Sequence, residues 1–63
     1  MPDHAGLLYN YACFASLAGD VDDETFANLR RSVELHPAFR EQARRDDDFA
    51  AVRDDPRFEQ ALR

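Results

Sequence analysis

Residues 6–20, GLLYNYACFASLAGD, form the most apolar stretch of this 63-residue chain. Five apolar residues lie at the three- and four-residue spacing of one helical face, namely Leu7, Tyr11, Phe14, Ala15 and Ala18. Gly19 can adopt the left-handed conformation in which many helices end. The stretch therefore predicts a helix over residues 6–18, with Asp3 as a possible cap. Because this helix is apolar on several sides, a single neighbouring helix cannot fully cover it.

A second helix is predicted immediately after this turn. Asp20 or Asp22 can cap its start, and the two acids that follow suit the positive end of the helix dipole. Its inner stripe is predicted to consist of Phe26, Leu29 and Val33. The helix is predicted to end just before Pro37, because the residue before a proline is disfavoured in the helical region. We expect truncation of Tyr11 or Phe26 to alanine to abolish folding, since both are assigned to the core.

Residues 37–63 contain three further helix signals and no signal for a β-strand. Residues 37–45 are predicted to form a third helix, and residues 46–54 one or two further turns behind a capping aspartate. In the last segment, Asp55 is the predicted cap and Pro56 takes the first helical position, so these acids are interpreted as a helix start rather than as a carboxylate site. The residues expected to point inward are Phe39, Ala43, Phe49, Val52, Phe58, Ala61 and Leu62. The chain is therefore predicted to be one all-α domain, residues 1–63.

The charge and the single cysteine restrict the classes of partner and compartment. Six acids against two arginines give residues 1–36 a net charge of −4, and seven against six give residues 37–63 a net charge of −1. Nucleic acid is therefore not an expected partner, because phosphate binding requires concentrated positive charge. Cys13 is the only cysteine, which excludes a disulfide within the chain and fits a reducing compartment. With no leader and no run of ~18 apolar residues, the protein is expected to be soluble and cytoplasmic, with no membrane partner.

Candidate catalytic and metal-binding groups are few. Cys13 with His4 or His36 as its base lacks a third, orienting group, so a buried and unreactive thiol is the expected role of Cys13. The acidic segment 20–24 fails as an EF-hand loop, because Thr25 stands where that loop requires glycine. We therefore expect no enzyme, no cofactor and no bound metal.

Residues 8–37 carry the spacing of a known repeat. The positions that carry it are Leu8, Tyr11, Ala12, Ala15 and the turn Gly19-Asp20 in the first half, and Thr25, Leu29, Ser32 and Pro37 in the second. This stretch resembles a tetratricopeptide repeat, a 34-residue pair of antiparallel helices. It departs from the usual pattern by one inserted residue in DVDDE and by Thr25 where alanine is usual. The resemblance implies an antiparallel helical hairpin over residues 7–36.

Residues 46–58, DDDFAAVRDDPRF, are similar to the endings of many bacterial repeat proteins. Such endings cap the apolar last face of a stack of repeats, so residues 37–63 are implied to be short capping helices. The residues implied to seal the stack are Phe39, Phe49, Val52, Phe58 and Leu62. The charged residues implied to face water are Arg44, Arg45, Asp46, Asp47, Asp54 and Glu59.

The resemblance also implies two binding surfaces on the first helix. In this family the inner groove receives peptides or helices, and the positions that would line it here are Tyr9, Asn10, Cys13 and Ser16. A single repeat with its cap leaves another side of the helix uncovered, so an association face is expected at Leu7, Leu8, Tyr11 and Phe14. Another copy, a different protein or a preceding repeat would cover that face. Residues 1–29 contain no lysine or arginine, so a clamp for a terminal carboxylate is not expected, and an arginine-bearing or apolar partner suits this half better.

These features predict a non-catalytic module for protein–protein interaction that is similar to a tetratricopeptide repeat. It is expected to bind a protein or peptide and to self-associate through its first helix, giving a homo-oligomer. Two alternatives stay open. One is the C-terminal cap fragment of a longer repeat protein or regulator, and the other is a small helical protein that binds a small ligand or a metal.

Overall fold

A computed structural model of the protein describes residues 4–63, and within this range it contains helices and no strand. The elements are α1 (Ala5–Ala18), α2 (Asp23–Leu35), α3 (Phe39–Arg45), a 3-10 helix (Asp47–Val52) and α4 (Pro56–Leu62). The predicted all-α class is confirmed, and the predicted helices are all present with small shifts at their ends. The possible cap Asp3 lies outside the described residues.

The turn between α1 and α2 is built as the sequence predicts. Gly19 has φ 74° and ψ 14°, a left-handed conformation that a residue with a Cβ atom adopts only with strain. The N–H groups of Gly19 and Asp20 donate to the carbonyl oxygens of Ser16 and Ala15 at 3.1 and 3.0 Å. Two carbonyl groups near the end of α1 thus have partners, and the chain enters α2 within a few residues.

The start of α2 is fixed by Asp22 rather than by Asp20. Oδ1 of Asp22 accepts a hydrogen bond from Thr25 N–H at 3.0 Å, and Oγ1 of Thr25 accepts one from Asp22 N–H at 3.3 Å. This reciprocal pair is a capping box in which threonine takes the place usually held by glutamate or glutamine. The presence of Thr25 where the repeat pattern has alanine therefore has a local physical reason.

The C-terminal helices begin with the predicted caps. Oδ1 of Asp46 accepts a hydrogen bond from Asp48 N–H at 3.0 Å, at the start of the 3-10 helix. Oδ1 of Asp55 accepts one from Arg57 N–H at 2.9 Å, and Pro56 is the first residue of α4. The segment DDPRF therefore acts as a helix start.

Arginine side chains of other helices form hydrogen bonds with the C-terminal end of α4. Arg30 on α2 donates to the carbonyl oxygen of Gln60 at 3.0 Å, and Arg40 on α3 donates to that of Leu62. Positive groups beside the last carbonyls of a helix satisfy these acceptors and complement the helix dipole. Residues from two other helices thus close the C-terminal end of α4.

The core lies between the α1–α2 pair and the C-terminal half. α1 packs against α2 and the 3-10 helix, and α2 also packs against α4. The core residues are Tyr9, Ala12, Cys13, Phe26, Leu29, Val33, Ala43, Phe49, Val52, Phe58, Ala61 and Leu62. The centroid of the Tyr9 ring lies 4.6 Å from that of Phe39 and 5.5 Å from that of Phe49. The centroids of the Phe49 and Phe58 rings are 5.6 Å apart. The predicted sealing residues are therefore buried, except for Phe39, which is partly buried.

Two predictions about side-chain positions are wrong. Tyr11 was assigned to the core but is half-exposed, so its truncation is not expected to abolish folding, whereas Phe26 is buried as predicted. Tyr9 is the buried tyrosine of α1, because the C-terminal half packs on its side of the helix. Asp46 was expected to face water, but it is partly buried where it accepts a hydrogen bond from Tyr9.

Candidate functional site

The residues predicted to line a groove do not form an open surface. Tyr9, Cys13 and Ser16 are each at most 5% exposed, because α2 and the 3-10 helix pack against α1. Asn10 is exposed. Of the four residues predicted to line a groove, only Asn10 is therefore accessible to a partner in this fold.

A hydrogen bond across the fold gives the hydroxyl group of the buried Tyr9 a partner. Its hydroxyl donates to Oδ2 of Asp46 at 2.8 Å, joining residues that are 37 positions apart. Burial, and then the Asp46 carboxylate, raise the pKa of Tyr9 above its ordinary value. The hydroxyl therefore keeps its proton and remains a donor at neutral pH. Nothing in the local sequence distinguishes Tyr9 from Tyr11 in this respect, so sequence reasoning had no signal for the pairing.

Cys13, Asp46 and Asp48 form a group whose possible ligand atoms lie within 4.8 Å of one another. Burial, and then the two carboxylates, raise the pKa of Cys13 to about 12. At neutral pH the thiol keeps its proton, which opposes a role as a nucleophile or as a metal-bound thiolate. Asp46 also accepts hydrogen bonds at both of its carboxylate oxygens, from Tyr9 and from Asp48 N–H. A metal ion bound by Asp46 would have to compete with these hydrogen bonds.

A row of large apolar side chains remains exposed on another side of α1. Its members, which we call the α1 apolar face, are Leu7 (67% exposed), Tyr11 (51%), Phe14 (70%) and Leu17 (62%). Leu8, which was expected to belong to it, is half-buried. Asn10 borders the face, because it lies three residues after Leu7 and four before Phe14 on the helix. Leu17 was missed, although it follows Phe14 at the same helical spacing.

The α1 apolar face ends in a hollow at the turn between α1 and α2. The hollow has a volume of ≈ 330 Å³ and is lined by Tyr11, Phe14, Ala15, Ala18, Asp20, Asp22 and Thr25. Among residues 4–63, no arginine forms an ion pair with Asp20 or Asp22. Hydrogen bonds from Thr25 hold the pKa of Asp22 below its ordinary value, so that carboxyl is ionised at neutral pH. The hollow therefore combines two aromatic side chains with negative charge.

A second group of an aromatic ring and carboxylates lies between α2 and α4, and an arginine of this chain already occupies it. The Arg57 guanidinium carbon lies 4.7 Å from the centroid of the Phe26 ring. Its Nη1 lies 2.9 Å from Oδ1 of Asp23, and its Nη2 lies 2.8 Å from Oδ2 of Asp55. One ring and two carboxylates from different elements thus hold one guanidinium group. A hollow of ≈ 300 Å³ adjoins it, but the charged groups there are already paired.

Comparison of the chain with protein-family models, with curated proteins and with solved structures found no match. The likeness to a tetratricopeptide repeat therefore stays a prediction from residue spacing. None of the helices within residues 4–63 has both the length and the apolar character needed to cross a membrane.

Proposed function

We propose that this protein is a non-catalytic helical module for protein–protein interaction, similar to a tetratricopeptide repeat, and that its contact surface is the α1 apolar face. The observation that carries the proposal is a row of four large apolar side chains, each more than half exposed, on one helix. Burying such a row against another protein is favourable, because apolar surface is removed from water. Self-association is part of the proposal, since a second copy offers the same apolar side chains.

The size of the α1 apolar face indicates the strength of contact. A large aromatic side chain has a surface of roughly 200 Å², so two such rings and two leucines at these exposures present on the order of 450 Å². Apolar patches of about 300–600 Å² on single chains are often functional. A standard interface buries about 800 Å² on each partner. The face therefore suits a specific contact, and self-association through it alone should be weak.

The candidate catalytic groups support binding rather than chemistry. Cys13 is buried, and the groups that raise its pKa include the carboxylates of Asp46 and Asp48. A thiol nucleophile requires the opposite surroundings, with a base or a positive charge that favours the thiolate. The ring of His36, one of the two possible bases, lies 4.5 Å from that of Phe39 at the end of α2.

Sedimentation equilibrium from micromolar to millimolar concentration tests the self-association. The average mass of the wild-type chain should rise with concentration. Phe14→Gln should shift this rise to higher concentration, because it removes the most exposed ring of the face. Leu35→Gln is the matched control, since Leu35 is exposed but lies on α2. Equal behaviour of all three proteins, or a wild type that stays monomeric throughout, would exclude self-association through this face.

A second candidate function is that of a C-terminal cap for a longer helical repeat protein or regulator. It is supported by the one-sided closure of the molecule, in which charged residues cover the C-terminal half while one side of α1 is open. Fusing a consensus-designed tetratricopeptide repeat ahead of residue 5 should then raise the melting temperature and slow amide exchange in α1. The same repeat fused after residue 63 is the control. A front fusion that changes neither property would reject this candidate.

A further inference from the structure

We infer that the partner is a helix of another protein that carries an arginine beside an apolar stripe, and that the arginine enters the hollow between α1 and α2. The stripe would cover the α1 apolar face, while the guanidinium group lies between the aromatic rings and the aspartates. This assignment rests on the proposed function, since that face supplies the remaining contact.

The lining of the hollow suits a cation with an apolar stem. Tyr11 and Phe14 are both aromatic and both exposed, and the small Ala15 and Ala18 leave room beside them. Aromatic faces attract cations, and an arginine side chain can place its methylene groups on apolar surface while its charged end reaches a carboxylate. A volume of ≈ 330 Å³ lies at the small end of the range for ligand pockets, which suits one inserted side chain.

The negative charge at the rim of this hollow is not neutralised by any arginine within residues 4–63. Among residues 4–63, Asp23 is paired with Arg57, whereas Asp20 and Asp22 have no arginine partner. The capping hydrogen bonds of Asp22 use its Oδ1 atom. Because these carboxylates stand beside exposed apolar surface, a partner with positive charge at the matching position gains both contacts at once.

The C-terminal ends of α4 and α1 also differ in whether an arginine contacts them. The C-terminal end of α4 receives Arg30 and Arg40 on its carbonyl oxygens. The last turn of α1 contains no basic residue. The dipole of α1 places partial negative charge at this end, next to Asp20 and Asp22, so a cation is favoured there as well.

The site of Arg57 shows that such a combination holds an arginine in this protein. There, one ring, Phe26, and two carboxylates, Asp23 and Asp55, surround the guanidinium group. The hollow offers two rings and two carboxylates without an arginine from residues 4–63. Arginine is favoured over lysine, because its planar group can stack on a ring and pair with a carboxylate at the same time.

A second copy of this chain is a poorer occupant than a helix with an arginine. Residues Ala5–Ala18 of α1 contain no charged side chain. Contact between two α1 helices would therefore cover the apolar side chains but bring no positive charge from α1 to Asp20 and Asp22.

Two synthetic helical peptides test the assignment by isothermal titration calorimetry. Each has leucines at three- and four-residue spacing, and one turn beyond them the first has arginine and the second has citrulline, its neutral isostere. The arginine peptide should bind the wild-type chain about tenfold more tightly than the citrulline peptide, and added salt should reduce the difference. The variant D20N/D22N should lose this preference, since asparagine caps a helix nearly as well as aspartate. The variant D47N/D54N, which removes two exposed acids elsewhere, should keep it.

Each contrary outcome overturns the assignment in a recognisable way. Equal affinity for the two peptides would mean that the apolar face binds without the hollow, which leaves the proposed function standing. An arginine preference that survives in D20N/D22N would place the arginine elsewhere. Absence of binding by both peptides would reject a helical partner, and the sedimentation of Phe14→Gln would then decide the proposed function separately. Weaker self-association of D20N/D22N would show that a second copy supplies the cation.

Discussion

Tyr9 and Tyr11 lie two residues apart on α1, yet Tyr9 is 4% exposed and Tyr11 is 51% exposed. Tyr9 faces the C-terminal half, where its ring contacts those of Phe39 and Phe49 and its hydroxyl donates to Asp46. Tyr11 faces the open side. Because the same residue type occurs on both sides of the helix, burial is decided here by what the rest of the chain supplies. The open side is therefore the one that a partner can complete.

Removing one ring from each side of α1 should give the largest contrast. Phe49→Ala deletes a fully buried ring and should lower the free energy of unfolding by about 3–5 kcal/mol, which is most of the stability of so small a domain. Phe14→Ala deletes an exposed ring and should change it by less than about 0.5 kcal/mol. Urea unfolding at low micromolar concentration, followed by circular dichroism, measures both.

If Phe49→Ala does not fold, Phe49→Leu provides the comparison, since it retains part of the buried area and should give a measurable transition. Equal losses for Phe14→Ala and the Phe49 variant would mean that Phe14 is buried in solution, and the contrast between the two sides of α1 would then fail.

Removing each tyrosine hydroxyl gives a sharper and smaller contrast. Tyr9→Phe breaks the hydrogen bond to Asp46 and leaves that partly buried carboxylate with one acceptor unsatisfied, so it should cost about 1–2 kcal/mol in the free energy of unfolding. Tyr11→Phe is the control on the open side and should leave that free energy unchanged. Chemical denaturation of the two variants and the wild type decides the matter. No difference between the two variants would show that the bond contributes nothing net.

The cap of α2 allows a test at the edge of the open side. Asp22→Ala should lower the melting temperature, because it removes the capping box with Thr25, whereas Asp20→Ala should not. Hydrogen bonds hold the pKa of Asp22 and that of Asp55 below the ordinary value of an aspartate, so their contribution is present above that ordinary pKa and is lost as the pH falls through the lowered value. The wild-type melting temperature should therefore fall as the pH drops below about 4, and Asp22→Asn should make that fall shallower. A fall of the same size in Asp22→Asn would assign the acid sensitivity to other groups.

The smallest effect is expected from added metal. Zinc would have to displace the thiol proton of Cys13 and the hydrogen bonds of Asp46, so Zn²⁺ should leave the melting temperature unchanged. Differential scanning calorimetry with and without Zn²⁺ measures this, and Cys13→Ser is the control for binding elsewhere. A rise in the melting temperature of the wild type that is absent in Cys13→Ser would establish the metal-binding alternative. The buried side of α1 would then bind a ligand as well, and it would no longer contrast with the open side.

The parts of this fold that local chemistry decides were predictable from the sequence. Gly19 ends α1 because the turn requires a left-handed residue, and Asp55 with Pro56 starts α4 because a cap and a preset φ suit the first turn. Phe26 was assigned to the core from its helical spacing, and it is buried there. For the two helix ends, the cause lies within about four residues of the effect.

Contacts between distant residues explain what the sequence did not show. Periodicity identified α1 as apolar on several sides, but which side the C-terminal half covers depends on contacts such as that of Tyr9 with Asp46, 37 residues away. Three of the four residues predicted to line a groove are buried for the same reason, because α2 and the 3-10 helix pack against α1. The hollow beside Asp20 was also missed, since it forms only when the start of α2 is placed against the end of α1.

The different surroundings of the two tyrosines also provide a built-in optical probe. The chain contains two tyrosines and no tryptophan. Replacing Tyr9 with phenylalanine leaves Tyr11, which lines the hollow, as the sole tyrosine fluorophore. The emission of that variant would then report directly on whether the open side of α1 is wet or covered, without any attached dye.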